Sequence, residues 1–324
     1  MFQKSENRRK SRRRNGRATA FLALAVAAMA IAGFGVLGTF ALGSSVARKV
    51  TSTLGEVIST APRSEKVPAS LAARMDDFGS AVSGKTTAST TSTNWGGYAD
   101  LAKDGTILEV LGEWAVPKIK CTVYPSLASQ WVGIDGFTTT TTVEQAGTYE
   151  YCPTSGSPSY WDWFEFDPYE ATQSVFTVSP GDFFQVYVLY NPNTCEGGVC
   201  GVYTIVVEDL SNAADSFLVQ GNPSVCDSYG CETGLDGSAE CISESLVNQG
   251  DLLADYGTET FYSCDASING YWSGIGGFPS GAHATTYKIT CYGYVSGLEQ
   301  QVPSGLTTYN YQDDHFTIKW KVDE

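Results

Sequence analysis

Apolar and polar residues alternate along short segments of the chain from residue 94 onward, and turn-forming residues separate these segments. In Phe183–Tyr190 every second residue is large and apolar, and the preceding Ser179-Pro180-Gly181-Asp182 has the composition of a tight turn. A period of two places such residues on one face of a β-strand. The segments that we predict to be strands on this basis are Ile107–Val116, Ser174–Val178, Phe183–Tyr190, Val202–Glu208, Ala239–Leu246, Ala284–Val295 and His315–Val322.

The same stretch contains no amphipathic helix of three turns, whereas Thr, Val, Tyr, Phe and Trp are abundant and Gly, Asn, Asp and Pro recur at short intervals. This pattern predicts an all-β domain over residues 94–324, built as an antiparallel β-sandwich or a barrel. A single sandwich of that length lies within the usual range.

The residues before position 94 have a different character. Eight Lys and Arg residues precede a mostly apolar run over 18–42, and Ser45-Val46-Ala47 resembles a small-x-small cleavage site. Residues 1–47 are therefore predicted to be a signal peptide, or alternatively an uncleaved membrane anchor, because 25 mostly apolar residues are long enough to span a bilayer. Residues 48–93 end in a Ser/Thr-rich tail, lack cysteine, Trp and Tyr, and are predicted to be a pro-segment or a linker.

Charge is divided unevenly between these parts. The chain has 20 Lys and Arg against 35 Asp and Glu, and residues 1–89 hold 14 of the basic and 5 of the acidic ones, which leaves 6 basic and 30 acidic residues in the remainder. No Lys or Arg stands between Lys120 and Lys288. So acidic a surface repels phosphate backbones, which excludes nucleic acid as a partner of the main body.

All nine cysteines lie after residue 120. Two pairs, Cys195/Cys200 and Cys226/Cys231, have a C-x4-C spacing that suits either a metal site or a short disulfide loop in a hairpin. Only two histidines occur, and an export signal implies an oxidising compartment, so we predict disulfides for both pairs and a third between Cys121 and Cys152. An odd number of cysteines leaves at least one thiol unpaired.

Histidine-based catalysis has little support, because His283 lies in a loop-like stretch and His315 opens the last predicted strand. The motifs H-E-x-x-H and G-x-S-x-G are absent. Carboxylates and aromatic rings are the remaining candidates. In the segment 161–167, Trp161, Trp163 and Glu165 share one strand face, an arrangement that suits either a ligand groove or an aromatic core strand.

Eight short segments follow one another with reasonable spacing from about residue 94 to the end of the chain. They are N-W-G-G-Y (Asn94–Tyr98), G-E-W-x-V-P (Gly112–Pro117), W-V-G-I-D-G (Trp131–Gly136), x-x-Q-A-G (Val143–Gly147), W-F-E-F-x-P (Trp163–Pro168), V-S-P-G-D (Val178–Asp182), A-E-x-I-x-E (Ala239–Glu244) and F-T-I-K-W (Phe316–Trp320). In this order, the segments resemble those of the glutamic peptidases, or eqolisins, the acid endopeptidases of peptidase family G1.

This resemblance implies a lectin-like sandwich of the jelly-roll type, made of two curved antiparallel sheets. It also implies a catalytic dyad of Gln145 and Glu244, the second glutamate of its motif and not Glu240. The family's substrate-binding cleft is lined by residues that match Trp95, Asp135, Trp163 and Glu165. The implied protein is a monomeric acid endopeptidase that acts on polypeptides without a metal or cofactor, is insensitive to pepstatin, and is secreted or tethered by residues 18–42.

The sequence departs from the family's pattern at a few positions, among them Asp167, where fungal members usually have Tyr, and these departures bear on subsite preference more than on the dyad. Two rival functions remain open on the residues alone. One is a non-catalytic sandwich that binds carbohydrate through Trp161, Trp163 and Glu165. The other is a glycoside hydrolase with two carboxylates such as Glu165 and Glu244.

Overall fold

The computed structural model describes residues 87–322, apart from 123–124, 138–141, 168, 170, 175, 197–198, 222–223, 228–229, 246–251, 294–295 and 310–312. Side chains at 195–196, 199–200, 224–227, 230–233, 307–309 and 313–314 are outside the description as well. The predicted leader over 1–47 lies wholly outside the described residues, and the predicted pro-segment lies outside them up to residue 86. Among the residues described, no helix is long and apolar enough to cross a membrane.

The described part of the chain is almost entirely β-structure, with one 3-10 turn at Ser280–Ala282. In chain order its strands are β1 (Ala88–Ser92), β2 (Trp95–Leu101), β3 (Ile107–Ala115), β4 (Ser126–Ile134), β5 (Glu144–Cys152), β6 (Ser159–Phe166), β7 (Thr172–Gln173), β8 (Phe183–Glu196), β9 (Val199–Asp209), β10 (Phe217–Gly221), β11 (Ser224–Asp227), β12 (Gly230–Thr233), β13 (Ser238–Glu244), β14 (Leu252–Leu253), β15 (Thr258–Ile268), β16 (Tyr271–Gly274), β17 (Thr285–Tyr292), β18 (Glu299–Pro303), β19 (Thr307–Tyr309) and β20 (Asp313–Trp320).

Strand pairing builds two layers. The first layer has the order β7-β6-β5-β4-β13-β2-β17-β1, and all of its neighbours are antiparallel except β17 and β1. The second layer has the order β10-β9-β8-β3-β15-β20, antiparallel throughout. Strand β18 pairs with both β17 and β20 and so joins the layers along one edge. The predicted antiparallel β-sandwich is confirmed.

The main hydrophobic core lies between the layers. Val132 and Cys241 of the first layer and Trp114 and Phe261 of the second belong to it, and all four are fully buried. The rings of Trp114 and Phe261 have their centroids 5.6 Å apart. Burial of each such large side chain stabilises the fold by roughly 1.5–3 kcal/mol, and the alternation along each strand decides which residues supply it.

Six of the seven predicted strands coincide with β3, β8, β9, β13, β17 and β20. The strand predicted at Ser174–Val178 is wrong. There the backbone amide of Ser174 donates to the carbonyl of Asp162, and the chain then leaves the sheet. Phe176 and Val178 still pack on the core, because a loop can bury apolar side chains without pairing its backbone.

Strand β1 lies inside the segment that the sequence assigns to the pro-segment or linker. It pairs in parallel with β17, in a register that joins Ala88 to Tyr287 and Ser92 to Cys291. The folded body thus includes at least Ala88–Ser92, ahead of the first family-like motif.

Two disulfides are present among the described cysteines. Cys121–Cys152 confirms the predicted pair, and Cys241–Cys264, which the sequence did not indicate, connects β13 of the first layer to β15 of the second. Cys291 is a buried free thiol. The predicted pairs Cys195/Cys200 and Cys226/Cys231 face each other in backbone register, but their side chains are outside the description, so these disulfides stay predictions.

Candidate active site

The candidate site lies on the face of the first layer that points away from the second layer, called the site face below. In β4, Ala128 and Val132 point into the core between the layers, whereas Leu127 and Trp131 belong to a separate apolar cluster on the opposite face. The predicted residues on the site face are Trp95, Gln145, Trp163, Glu165 and Glu244, brought together by β2, β5, β6 and β13.

Gln145 and Glu165 stand directly opposite each other in the β5–β6 pair. The Nε2 of Gln145 donates a hydrogen bond to Oε2 of Glu165 at 2.6 Å. A primary amide carries two N–H donors and a carbonyl acceptor. Within the described part of the chain, the Oε1 of Gln145 is buried and has no hydrogen-bond partner. Gln145 is therefore fixed by one bond, with an acceptor and a second N–H left to offer to another molecule.

The carboxylate of Glu244, at the end of β13, is held by three N–H donors. Its Oε1 accepts hydrogen bonds from Nδ2 of Asn94 at 3.0 Å and from the indole Nε1 of Trp95 at 3.2 Å. Its Oε2 accepts one from the indole Nε1 of Trp131 at 2.8 Å. Since each carboxylate oxygen can accept about two bonds, Oε2 is the oxygen with acceptor capacity to spare.

The indole of Trp131 lies between the rows of Gln145 and Glu244, and glycine on the neighbouring strand makes room for it. Gly147 stands opposite Trp131 in the β4–β5 register. A Cβ at position 147 would lie 2.7 Å from Cβ of Trp131 and 2.0 Å from the carbonyl oxygen of Gln130. The Q-A-G motif thus places its glycine where a larger residue would push the two strands apart.

Trp163 continues the same aromatic row. It faces Gly147 across the β5–β6 pair, and its indole Nε1 donates to Oγ of Ser129 at 3.1 Å. The rings of Trp95 and Trp131 meet edge to face at 4.8 Å. These indoles form a rigid, largely apolar floor around the polar groups.

Burial dominates the electrostatics of the site face. It raises the pKa of Glu244 to about 7, against the lowering effect of the bonds from Trp131, Trp95 and Asn94. Burial also raises the pKa of Glu165 to about 8, helped by the charge of Asp167 and, more weakly, by that of Glu244, whereas the bond from Gln145 lowers it. The charge of Glu244 thus reaches Glu165 on the neighbouring side of the site.

Glu240 competes with Glu244 as the acidic partner of Gln145. Both glutamates lie on the site face of β13, and Glu240 shares with Gln145 the row that runs through Gly133. Burial raises the pKa of Glu240 well above its usual value, and the side chain has no solvent exposure. Glu244 differs in its three N–H donors and in its electrostatic contact with Glu165.

Asp135 is set apart from the other predicted site residues. It is completely buried, has a positive φ of 70°, and accepts hydrogen bonds from the backbone N–H groups of Asp236 and Gly237, each at 2.9 Å. Both of its oxygens are therefore occupied by the loop that leads into β13.

A search of protein families matches residues 93–319 to the model of the peptidase A4 family. The chain belongs to the peptidase A4 family. These are the glutamic peptidases that the sequence motifs resemble, and that prediction is confirmed. Aspergillopepsin-2 of Aspergillus niger is 30% identical over 201 residues, which is 55% of this chain and 66% of that protein. The chain thus matches just under two thirds of this relative's length.

Solved structures agree on the fold of this peptidase A4 family member. The crystal structure of scytalido-glutamic peptidase with a transition state analog inhibitor superposes with a TM-score of 0.51 at 20% identity, over 71% of this chain and 98% of that one. A second structure of the same peptidase, with a peptide-based transition state analog, gives the same values. At this identity the likeness establishes the sandwich fold and nothing finer.

Two residues that contact Glu244 in this family member were not predicted from the sequence to be part of the site. Asn94 and Trp131 each donate to Glu244, and each is the first residue of a motif that was recognised for the family and not for its chemistry. Nothing in the local pattern marks them, because their bonds depend on the pairing of β13 with β2 on one side and β4 on the other.

Proposed function

We propose that the protein is a secreted acid endopeptidase in which Glu244 and Gln145 hydrolyse the peptide bond. The observation that carries this proposal is a carboxylate held by three N–H donors, on the same face as an amide that has a free acceptor and a spare donor. Peptide hydrolysis needs a base for water, a donor for the developing oxyanion and an acid for the leaving amine. These two side chains can supply all three.

In the proposed mechanism, a water molecule is oriented by Oε1 of Gln145 and gives a proton to Oε2 of Glu244 as its oxygen attacks the scissile carbonyl carbon. The spare N–H of Gln145 donates to the oxygen of the tetrahedral intermediate. Glu244 then returns the proton to the nitrogen as the C–N bond breaks, so the carboxylate is regenerated. An amide does not titrate, and Gln145 therefore keeps its donors at any acidic pH.

The remaining site residues take supporting roles in this proposal. Glu165 fixes the amide of Gln145 through the 2.6 Å bond. Trp95 and Trp163 belong to the apolar cluster of the site face, and we assign them to the substrate cleft as the family resemblance implies. Asp135 acts by holding the loop before β13 in place, a role different from the substrate contact that the family resemblance implies.

Localisation and assembly belong to the same proposal. Disulfides are typical of oxidising compartments, and Cys121–Cys152 and Cys241–Cys264 suit a protein that works outside the cell. We propose that the body acts as a monomer, released or tethered by residues 18–42.

The test is digestion of casein or haemoglobin by the purified protein at acidic pH, with and without pepstatin. The Glu244→Gln variant is the matched control. We expect cleavage that pepstatin does not stop and that the variant lacks. Cleavage that persists in purified Glu244→Gln would contradict the assignment of Glu244 as the base. Hydrolysis or binding of glycans with no peptide cleavage would instead establish one of the two carbohydrate functions.

A further inference from the structure

The corner between β1 and β2 is organised by Ser92 and Asn94. The hydroxyl of Ser92 accepts hydrogen bonds from the backbone N–H of Asn94 at 3.2 Å and of Trp95 at 3.1 Å. The same hydroxyl donates to the side-chain Oδ1 of Asn94 at 2.8 Å. Because the hydroxyl donates to Oδ1, this bond determines the orientation of the side-chain amide, and Nδ2 of Asn94 points toward Glu244.

Asn94 is tied to β13 by its backbone as well as by its side chain. Its Nδ2 donates to Oε1 of Glu244 at 3.0 Å, and its carbonyl accepts from the backbone N–H of Ser245 at 2.7 Å. The same carbonyl accepts from Nε2 of Gln301 at 3.4 Å. Ser92 and Asn94 are 8% and 7% exposed, so water competes weakly for these bonds.

We propose that Asn94 is a positioning residue for Glu244, oriented by Ser92, which holds Oε1 still and leaves Oε2 as the oxygen that exchanges the proton. The inference rests on the proposed function of Glu244. It adds a residue that touches no reacting atom and acts through the carboxylate alone. Because Ser92 ends β1, it also makes the edge strand at Ala88–Ser92 part of the catalytic architecture.

Asn94 is expected to have a measurable effect on the pKa of Glu244, because the ionisable groups near this carboxylate do not stabilise its charge. Among the described residues, these groups are Glu165 from β6 and the thiol of Cys291 from β17, and both interact with Glu244 electrostatically. Neither supplies a positive charge, so ionised Glu244 depends on its N–H donors. Loss of one donor to a carboxylate shifts its pKa upward by about one unit.

The experiment compares Asn94→Leu, which is nearly isosteric and has no donor, with Thr93→Ala as the control at the exposed neighbouring position. We expect the Glu244 carboxyl carbon, assigned with Glu244→Gln, to titrate about one pH unit higher in Asn94→Leu by ¹³C NMR. In the acid range kcat should fall about tenfold with KM unchanged, because the ionised fraction falls by that factor. Thr93→Ala should match the wild type in both.

A second variant tests the same role of Asn94 without replacing Asn94 itself, in case Asn94→Leu does not fold. Ser92→Ala leaves Asn94 in place but frees its amide to turn, so the same upward shift is expected at smaller size. An unmoved carboxyl titration in both variants, or a shift without any loss of kcat, would overturn the positioning role. A wild-type protein that cleaves no peptide, yet shows the shift, would refute the proposed function and leave the Asn94–Glu244 interaction standing.

Discussion

Each donor to the carboxylate of Glu244 is an amide or an indole, and neither kind of group loses its proton at any pH that the protein meets. These donors are dipoles and carry no net charge. The hydrogen bonds to the Glu244 carboxylate therefore depend little on salt concentration, whereas an exposed ion pair weakens as salt screens it.

Replacement of either dyad residue should remove most of the activity. We expect Glu244→Gln and Gln145→Ala each to lower kcat by about a thousandfold, since one removes the base and the other an oxyanion donor. The matched control is Glu240→Gln, on the same strand and face as Glu244. Kinetics on a peptide substrate, with circular dichroism to verify the fold, measures the effect. An inactive Glu240→Gln beside an active Glu244→Gln would reverse the assignment.

The raised pKa of Glu244 predicts the shape of the pH profile. With a pKa of about 7, the ionised form that accepts the water's proton is a minority in acid and grows about tenfold per pH unit. We expect kcat/KM to rise with pH from about 3 to 6 for as long as the fold persists. A profile that falls over this range would show that the protonated form of Glu244 begins the reaction.

At the scale of strands, the cysteines of two short hairpins are predicted to form disulfides, which mass spectrometry can detect. Cys195 and Cys200 face each other in register across β8 and β9, and Cys226 and Cys231 do so across β11 and β12. Directly opposed cysteines on paired strands lie within the Cα separation of about 7 Å that a disulfide allows. Non-reduced peptide mapping should find both bridges, and free thiols or bound zinc at these positions would contradict the prediction.

The sequence predicted strands and strand faces well because alternation is a local property. It placed Trp163 and Glu165 together on one face, as the structure has them. The Cys241–Cys264 disulfide could not be predicted, because it depends on which strand of the second layer lies opposite β13. The bond from Asn94 to Glu244 spans 150 positions and depends on the β2–β13 register in the same way.

At the scale of the whole molecule, four glutamates among the described residues are buried with no positively charged side chain among the groups that shift their pKa. Burial is the main cause that raises the pKa of these four glutamates well above the usual value, with nearby carboxylates adding to it for three of them. These are Glu144, Glu150, Glu240 and Glu259. A folded-state pKa above the unfolded value means that the folded protein binds more protons. The contribution of these glutamates to the free energy of unfolding is therefore fully present below about pH 4, where they are protonated in both states. It is lost as the pH rises through their folded-state pKa values.

The melting temperature should accordingly be higher at pH 3 than at pH 8. Glu259→Gln removes one of these carboxyl groups, whose ionisation favours the unfolded state, so we expect it to raise the melting temperature at pH 7 by on the order of 5 °C and to change little at pH 3. The control is Glu299→Gln, at an exposed position. Calorimetry from pH 2 to 8 measures both, and a wild-type body that melts higher at pH 8 than at pH 3 would contradict the argument.

The buried thiol of Cys291 can serve as a reporter of motion at the edge of the first layer. It is fully buried, burial raises its pKa to about 12, and it pairs in register with Ser92 on one side and Gln301 on the other. An alkylating reagent can reach it only when β1 or β18 detaches. Labelling should be at least about a hundredfold slower than for free cysteine at equal thiolate fraction, and the ratio gives the free energy of opening. Labelling at the free rate would mean that this edge stands open most of the time.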